Sequence, residues 1–399
     1  MTVALWVLVA VFAVPAVLPV LAALRFRRYV RRWFARQAPD FTPPLSVIMP
    51  CKGLDPGFDE NIRAILGQDY PDFEVIFVTA TADDPARSRL LELTAGRDNA
   101  RVVVAGIRHG RSQKLNNQLA ALWRVGPRSE ALVFVDSDVR PHSTFLRELV
   151  APLADEGVGA TTGFRWYVPQ EGGLGSYLRA TWNGGGISVM ADNRLAYAWG
   201  GAMAMLRDTF EEARVAERWD SALTDDFPLT MAVRELGLAV RFVPSCLLAS
   251  HEDSTLAQTL EWTNRQTVIC RVYDPALWRA IFSLHAVHAL AAGIGLGALL
   301  ASVLVPGAAR MVWPGLALLG VVPLQMLGGA VLWSTARLLR PEVGGVAAVL
   351  KHMALVPLAV GLIFWNSFHS LRTRDICWRG VRYRLVSSQR TVVLDAGEI

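Results

Sequence analysis

Four stretches of this chain carry no Asp, Glu, Lys or Arg: Met1 to Leu24, Ala280 to Ala309, Met311 to Ala336 and His352 to Leu371. As a helix, each is long enough to cross about 30 Å of hydrocarbon. The chain must therefore solve two folding problems. Its ends need helices that satisfy their own backbone groups in lipid, and the polar residues between them need a core of their own. The whole sequence is 52% hydrophobic and 19% charged, with a mean hydropathy of +0.31. These values exclude a purely soluble protein, a disordered chain and a collagen-like one.

The first apolar run is followed by six arginines between Arg25 and Arg36. A cleaved signal peptide has its basic residues before the apolar run, so this segment reads as an anchor. By the positive-inside rule its Arg-rich flank is cytoplasmic. The expected organisation is a transmembrane helix over 1–24, a cytosolic domain with interfacial helices over 25–279, transmembrane or re-entrant helices over 280–371, and a basic tail over 372–399. Three crossings after a cytosolic domain place the tail outside, whereas Arg372, Arg374, Arg379, Arg382, Arg384 and Arg390 place it inside. Pro314, Pro323, Gly328 and Gly329 make the third block the weakest span. The expectation is three or four crossings in a multi-pass protein of a bacterial inner membrane or its equivalent.

Residues 25–279 read as α/β. Leu45 to Met49, Phe73 to Val78, Arg101 to Ala105 and Ala131 to Val135 are short apolar runs of the kind buried in a parallel sheet. Helical patterns at Asp59 to Gly67 and Gln113 to Trp123 alternate with them, which predicts a Rossmann-like, mostly parallel, doubly wound sheet. Ligands of such sheets bind outside the carboxyl ends of the strands. The block holds 30 basic and 31 acidic side chains. It therefore lacks the excess positive charge expected of a nucleic-acid binder. Cys51, Cys246, Cys270 and Cys377 form neither a disulfide framework nor a zinc pattern.

The chemistry-bearing residues follow the strands. Asp136-Ser137-Asp138 leaves the ALVFV run directly. It reads either as a turn or as a seat for a hard divalent cation, Mg²⁺ or Mn²⁺, that takes its other ligands from phosphates. Asp225-Asp226 reads as a helix cap or as a site where one acid is a general base. Trp262 to Gln266, followed by Arg271, reads as an interfacial anchor or as a place where Arg265 clamps a diphosphate. The chain holds only three lysines, and Lys52 and Lys114 fall in strand-end or loop segments, where a lysine makes a point contact to phosphate. Asp83-Asp84-Pro85 is a turn signal whose carboxylate can also accept from a base or a ribose.

The order of these segments carries a resemblance. An apolar anchor is followed by VIMPCKGLDPG, YPDFEVIFV, DDPA, SQKLNNQ, VFVDSDVRP, YAWGGAMAMLRD, TDDFPL, EWTNRQ, three apolar blocks and CWRGVRYRL. This resembles the membrane-bound inverting glycosyltransferases of family 2, and within them the ceramide glucosyltransferase group. The resemblance implies a GT-A fold facing the cytosol, a nucleotide-sugar donor such as UDP-glucose, and an acceptor hydroxyl on a membrane lipid such as ceramide or diacylglycerol. It places Asp136 with donor and metal, completes a DxD with Asp138, and gives Asp226 the part of catalytic base and Arg265 that of the arginine in (Q/R)xxRW. The donor set it implies is Pro50, Lys52, Asp83, Lys114, Asn117 and Asp136, with Asp225, Trp262, Gln266 and Arg271 as secondary candidates. Two departures stand out. Thr81 occupies the place of an early Asp, and the last element reads WTNRQ with its Trp moved to the front. The alternatives are a polyprenyl-phosphate sugar transferase and a processive polysaccharide synthase.

Overall fold

The computed structural model describes residues 2–108 and 110–395. Met1 of the first span, His109 of the central block and residues 396–399 of the C-terminal segment lie outside the described residues. The chain divides into two compact units.

One unit comprises Met1–Arg32, Tyr167–Val189 and His251–Thr373 and is helical. Its long elements are α1 (Thr2–Phe34), α6 (Leu174–Gly186), α10 (Leu256–Tyr273), α11 (Pro275–Leu304), α12 (Val312–Leu319), α13 (Val321–Leu339) and α14 (Val346–Arg372). Among the described residues, four spans are long and apolar enough to cross a membrane: Thr2–Phe34, Pro275–Leu304, Ala309–Leu339 and Val346–Arg372. They match the four uncharged stretches, and the Pro- and Gly-rich third one is built from two helices that meet at Gly320. Pro19, inside α1, has no N–H, so the Pro15 carbonyl four residues earlier loses its helical donor. His288 of α11 supplies it, its Nε2 lying 2.9 Å from that oxygen, and Nδ1 then accepts from Gln325 Nε2 of α13 at 2.6 Å. A histidine in an apolar helix is thereby explained by a backbone carbonyl that lipid cannot satisfy.

The other unit comprises Trp33–Trp166, Met190–Ser250 and Arg374–Ile399. Strands β1 (Leu45–Pro50), β2 (Phe73–Thr79), β3 (Ala100–Val104) and β4 (Ala131–Val135) alternate with helices α2 (Phe58–Leu66), α3 (Pro85–Leu93) and α4 (Gln113–Leu122). Helix α5 (Phe145–Val150) follows β4. Then come β5 (Val158–Tyr167), β6 (Ala202–Leu206), the short helices α7 (Arg207–Glu212) and α8 (Val215–Trp219), α9 (Asp226–Glu235) and β7 (Ala239–Ser250). The sheet order is β3-β2-β1-β4-β6-β5-β7. The first four strands are parallel, with Leu45 opposite both Phe73 and Ala131, and β6 runs antiparallel to β4 and β5. This is the expected mostly parallel α/β sheet, with a mixed far half.

Both faces of the sheet are covered, which is why its strands are apolar without alternation. Val47, Met49, Val75 and Phe77 enter one core, while Ile48, Ile76, Leu132 and Phe134 enter the other. Beneath the end of β4, Phe134 meets Trp219 edge-on at 5.0 Å and stacks on Phe210 at 6.0 Å. Such pairs contribute about 0.5–1.5 kcal/mol each beyond area burial. A second, three-stranded antiparallel sheet closes the chain: β8 (Asp375–Trp378), β9 (Val381–Ser387) and β10 (Arg390–Asp395).

Candidate active site

All five residues of β4 are buried, so the chain turns polar only where it leaves the sheet, at Asp136. The Asp136 amide donates to the Gly201 carbonyl at 3.2 Å, which fixes where its side chain starts. One carboxylate oxygen of Asp136 lies 2.7 Å from Lys114 Nζ on α4. The same ammonium lies 2.9 Å from Asp225 Oδ2 and donates to the Gly200 carbonyl at 3.1 Å. An ammonium has three donors, and Lys114 has a partner for each. Burial works against its charge, yet the Asp136 and Asp225 carboxylates win and raise its pKa.

Asp225 precedes the first residue of α9, makes no side-chain capping bond to it, and is buried. Gln118, one turn along α4 from Lys114, donates to it at 2.8 Å. The Trp219 indole donates to its carbonyl at 3.1 Å, so the loop carrying the acidic pair is tied to the aromatic cluster under β4. Gly200 allows this packing, because a Cβ there would overlap the Asp225 carboxylate. Gly200→Ala is therefore expected to cost about 1–3 kcal/mol by overpacking and to displace Asp225 from Lys114. A lowered thermal midpoint in detergent checks this, and an unchanged one would show that the carboxylate has room to move.

Asp226 is the first residue of α9 and is half-buried. Burial, and then the charge of Asp225 beside it, push its carboxyl up to about 6. Asp136 is also raised, by burial first, with Lys114 opposing. Asp138 moves the other way. Burial would raise it, but Arg165 holds both its oxygens at 2.9 and 2.6 Å and lowers it. Arg165, from β5, also reaches Asp136 Oδ2 at 3.3 Å. Two carboxylates at one strand end thus carry divergent proton affinities, a pattern concentrated at functional sites.

The loop after β1 completes this side. Asp55 accepts from the Ser137 hydroxyl at 3.1 Å and lies 3.4 Å from Arg379 Nη2. Lys52 Nζ donates to the Arg379 carbonyl at 3.4 Å, and Arg379 Nη1 donates to the Lys52 carbonyl at 3.3 Å. Asp84 joins the loops after β1 and β2. It caps α3 by accepting from Ala86 N at 2.9 Å and takes the Gly53 amide at 3.0 Å. Its neighbour Asp83 is exposed, and the Thr81 hydroxyl beside it lowers its pKa. Asn117 is buried and braces α4 against β2 through the Val78 carbonyl, 3.4 Å away. Pro50 ends β1 opposite Val78.

Among the described residues no group of three or more His, Cys, Asp or Glu is arranged to hold a metal ion. Asp136 and Asp138 supply two hard oxygen donors at a strand end, which suits a Mg²⁺-type cation that completes its shell with phosphate oxygens. Both oxygens of each carboxylate already have partners, Arg165 on Asp138 and Lys114 with Arg165 on Asp136, so a cation there would share or displace these contacts.

The remaining sequence candidates lie on α10, in the helical unit. Trp262 meets Tyr167 and Trp182 edge-on at 5.6 and 5.3 Å. Asn366 of α14 donates to Asn264 at 2.7 Å and to Thr263 at 3.1 Å. Arg265 and Gln266 are half-buried on this segment. Arg271 donates to the Ser370 carbonyl, with its guanidinium 5.9 Å from the Trp278 ring centre. Sequence reasoning brought forward Lys52, Lys114, Asp136, Asp138, Asp225 and Asp226, and the fold gathers these six in the sheet unit. It did not bring forward Asp55, Arg165 or Arg379. Arg165 is one arginine within a buried strand and gives no local signal. Arg379 sits in CWRGVRYRL, a segment of the recognised order to which no role was attached.

Comparison with known proteins agrees on the class. The family described as glycosyl transferase family 21 matches residues 7–391; the motif order resembled family 2 and, within it, the ceramide glucosyltransferase group. Among solved structures, the chain is similar to a mannosyltransferase from Pyrobaculum calidifontis in complex with GDP-Man and Mn²⁺. Identity is 19% and the TM-score 0.45, over 80% of this chain and 99% of that one. It is also similar to glucosyl-3-phosphoglycerate synthase from Mycobacterium tuberculosis in complex with Mn²⁺ and UDP-glucose. There identity is 21% and the TM-score 0.38, over 56% of this chain and 78% of that one.

Proposed function

We propose a lipid hexosyltransferase reaction for this chain, which belongs to glycosyl transferase family 21 and is a glycosyltransferase. It moves a hexose from a nucleotide sugar, UDP-glucose or a close relative, to the hydroxyl of a membrane lipid such as ceramide or diacylglycerol, inverting the anomeric centre. The observation that carries this reading is Lys114, which joins the strand-end carboxylate Asp136 to the Asp225-Asp226 pair. That contact puts acids from two separate segments around one place at the carboxyl ends of the strands.

In this reading Asp226 takes the proton of the acceptor hydroxyl. The lipid oxygen bonds to the anomeric carbon as the bond from that carbon to the donor's diphosphate breaks, and the nucleoside diphosphate leaves with the electron pair. The base has to lie within about 3 Å of the hydroxyl it serves. Lys114 holds Asp136 and Asp225 in register. Arg165 is placed to hand Asp138 over to the donor complex. A Mg²⁺ or Mn²⁺ held by Asp136 and Asp138 would offset charge on the departing diphosphate. Lys52 is assigned to a phosphate contact.

Four apolar spans support a lipid acceptor, and the Arg25–Arg36 flank supports a cytosolic sheet unit. The test is to incubate membranes containing the protein with labelled UDP-glucose, UDP-galactose and UDP-glucuronate, then to identify the labelled lipids by mass. One hexose per lipid, attached at a hydroxyl, is the expected product. A sugar polymer would replace this reading with a processive synthase. Label on a polyprenyl phosphate, formed equally well by Asp226→Asn, would replace it with a transferase that needs no base.

A further inference from the structure

The C-terminal sheet is tied to the loops that carry the candidate site. The Thr391 amide donates to the Ser221 carbonyl at 3.0 Å, and the Ser221 hydroxyl donates to the Gln389 carbonyl. Ser221 lies just before the Asp225-Asp226 pair. At the other end, the Lys52 and Arg379 side chains each donate to the other's carbonyl. The sheet therefore touches both the loop after β1 and the loop before α9.

Its first hairpin turns on two residues, Arg379-Gly380, between the paired Trp378 and Val381. Both have positive φ, 47° and 85°, the mark of a type I′ turn. Gly suits the second position. The first favours Asn, Asp or Gly, and an arginine there sits in a conformation that its Cβ disfavours. Backbone strain held at one residue is a reason to ask what its side chain does.

The Arg379 side chain is exposed and directed at carboxylates. Its two polar contacts, to Asp55 at 3.4 Å and to the Lys52 carbonyl at 3.3 Å, are long. They engage two of five guanidinium donors. The loops around it partly desolvate the guanidinium, which works against its charge, but Asp55, Asp138 and Asp136, in that order, uphold it.

We propose that Arg379 is a donor-binding residue that grips the diphosphate of the nucleotide sugar from the tip of the C-terminal hairpin. A guanidinium offers phosphate oxygens a planar two-point contact, and this one stands beside the carboxylates assigned to donor and cation. The inference rests on the nucleotide-sugar reading above and extends it to a residue outside the six acids and lysines gathered there.

The test uses the purified full-length chain in detergent with Mg²⁺, titrated with UDP and with UMP. The variants are Arg379→Asn, Arg379→Gln and Arg379→Lys. Asn is favoured at this turn position, so Arg379→Asn should unfold at or above the wild-type midpoint. The wild type should bind UDP more tightly than UMP. Arg379→Asn and Arg379→Gln should weaken UDP by about tenfold, the scale of one charge-assisted contact, and leave UMP within about twofold. Arg379→Lys should recover part of the loss. Unchanged UDP binding in Arg379→Asn overturns the proposal. So does a loss shared equally by UMP, or one accompanied by a lowered midpoint in both neutral variants, since each assigns Arg379 a structural part. A wild type that binds neither nucleotide overturns the donor reading itself.

Discussion

Asp226→Asn is expected to lower the rate of lipid glycosylation by about 10²–10⁴-fold, the range a positioned general base supplies, while UDP binding stays within about twofold. The amide keeps the size of the side chain and an oxygen for the Phe227 amide, which Asp226 Oδ1 accepts at 2.7 Å. Only the basic function goes. In the wild type the carboxyl titrates near 6, from burial and from Asp225, so transfer should rise with pH through that value and level off above it. Stability moves the other way. The folded-state pKa lies above the ordinary carboxylate value, so between about pH 4 and 6 the folded protein keeps a proton that the unfolded chain has released. Stability therefore falls as pH rises through this window. At neutral pH the ionised carboxylate costs on the order of 2–3 kcal/mol, and Asp226→Asn removes that cost. The variant should be nearly inactive and have a higher thermal midpoint at pH 7.5, the gain shrinking toward pH 4. Near-normal turnover, or a flat pH profile in the wild type, would take Asp226 out of the base role. An equally dead but less stable variant would mean that Asp226 shapes the loop.

The contrast between readable and unreadable residues here is one of range. The strands β1, β2 and β4 are legible because a doubly covered sheet needs no polar face. Short, mostly apolar runs bounded by turn signals therefore have few other uses. The position of Asp136 follows directly, as the first polar residue beyond the fourth strand. Asp83 and Asp84 are adjacent and chemically identical. Only the backbone geometry of the α3 cap decides that Asp84 joins the two loops, while Asp83 stays exposed. Arg165 is invisible for another reason. Its partners, Asp136 and Asp138, are nearly thirty positions away, and nothing in the strand bearing it marks it out from the other arginines. The C-terminal hairpin was legible in principle. Val381, Tyr383 and Leu385 are buried while Arg382, Arg384 and Val386 are exposed, a period of two that follows an Arg-Gly turn. Its density of arginine drew the reading toward a charged tail instead.

Lys114→Met is expected to destabilise the protein by about 3–5 kcal/mol, the cost of removing one partner from a buried ionic cluster. The methionine fills most of the space, so cavity formation contributes little. What remains is Asp136 and Asp225, both set in place by other contacts, facing each other without the ammonium that joins them. Gln118 satisfies only part of Asp225. The test is a double-mutant cycle with Asp225→Asn, which leaves an acceptor for Gln118 and removes the charge. Asp225→Asn alone should also destabilise, because it deprives Lys114 of a partner while burial still opposes the ammonium. The double variant should be more stable than the sum of the single losses predicts, with a coupling of about 1–3 kcal/mol, read from thermal midpoints of the four proteins in one detergent. UDP binding separates stability from site geometry. If Lys114 aligns Asp136 for the donor, the double variant recovers its fold without recovering nucleotide affinity. Additive losses would mean that Lys114 and Asp225 do not share the contact, and the bridge between the strand-end acids and the acidic pair on α9 would then fall away.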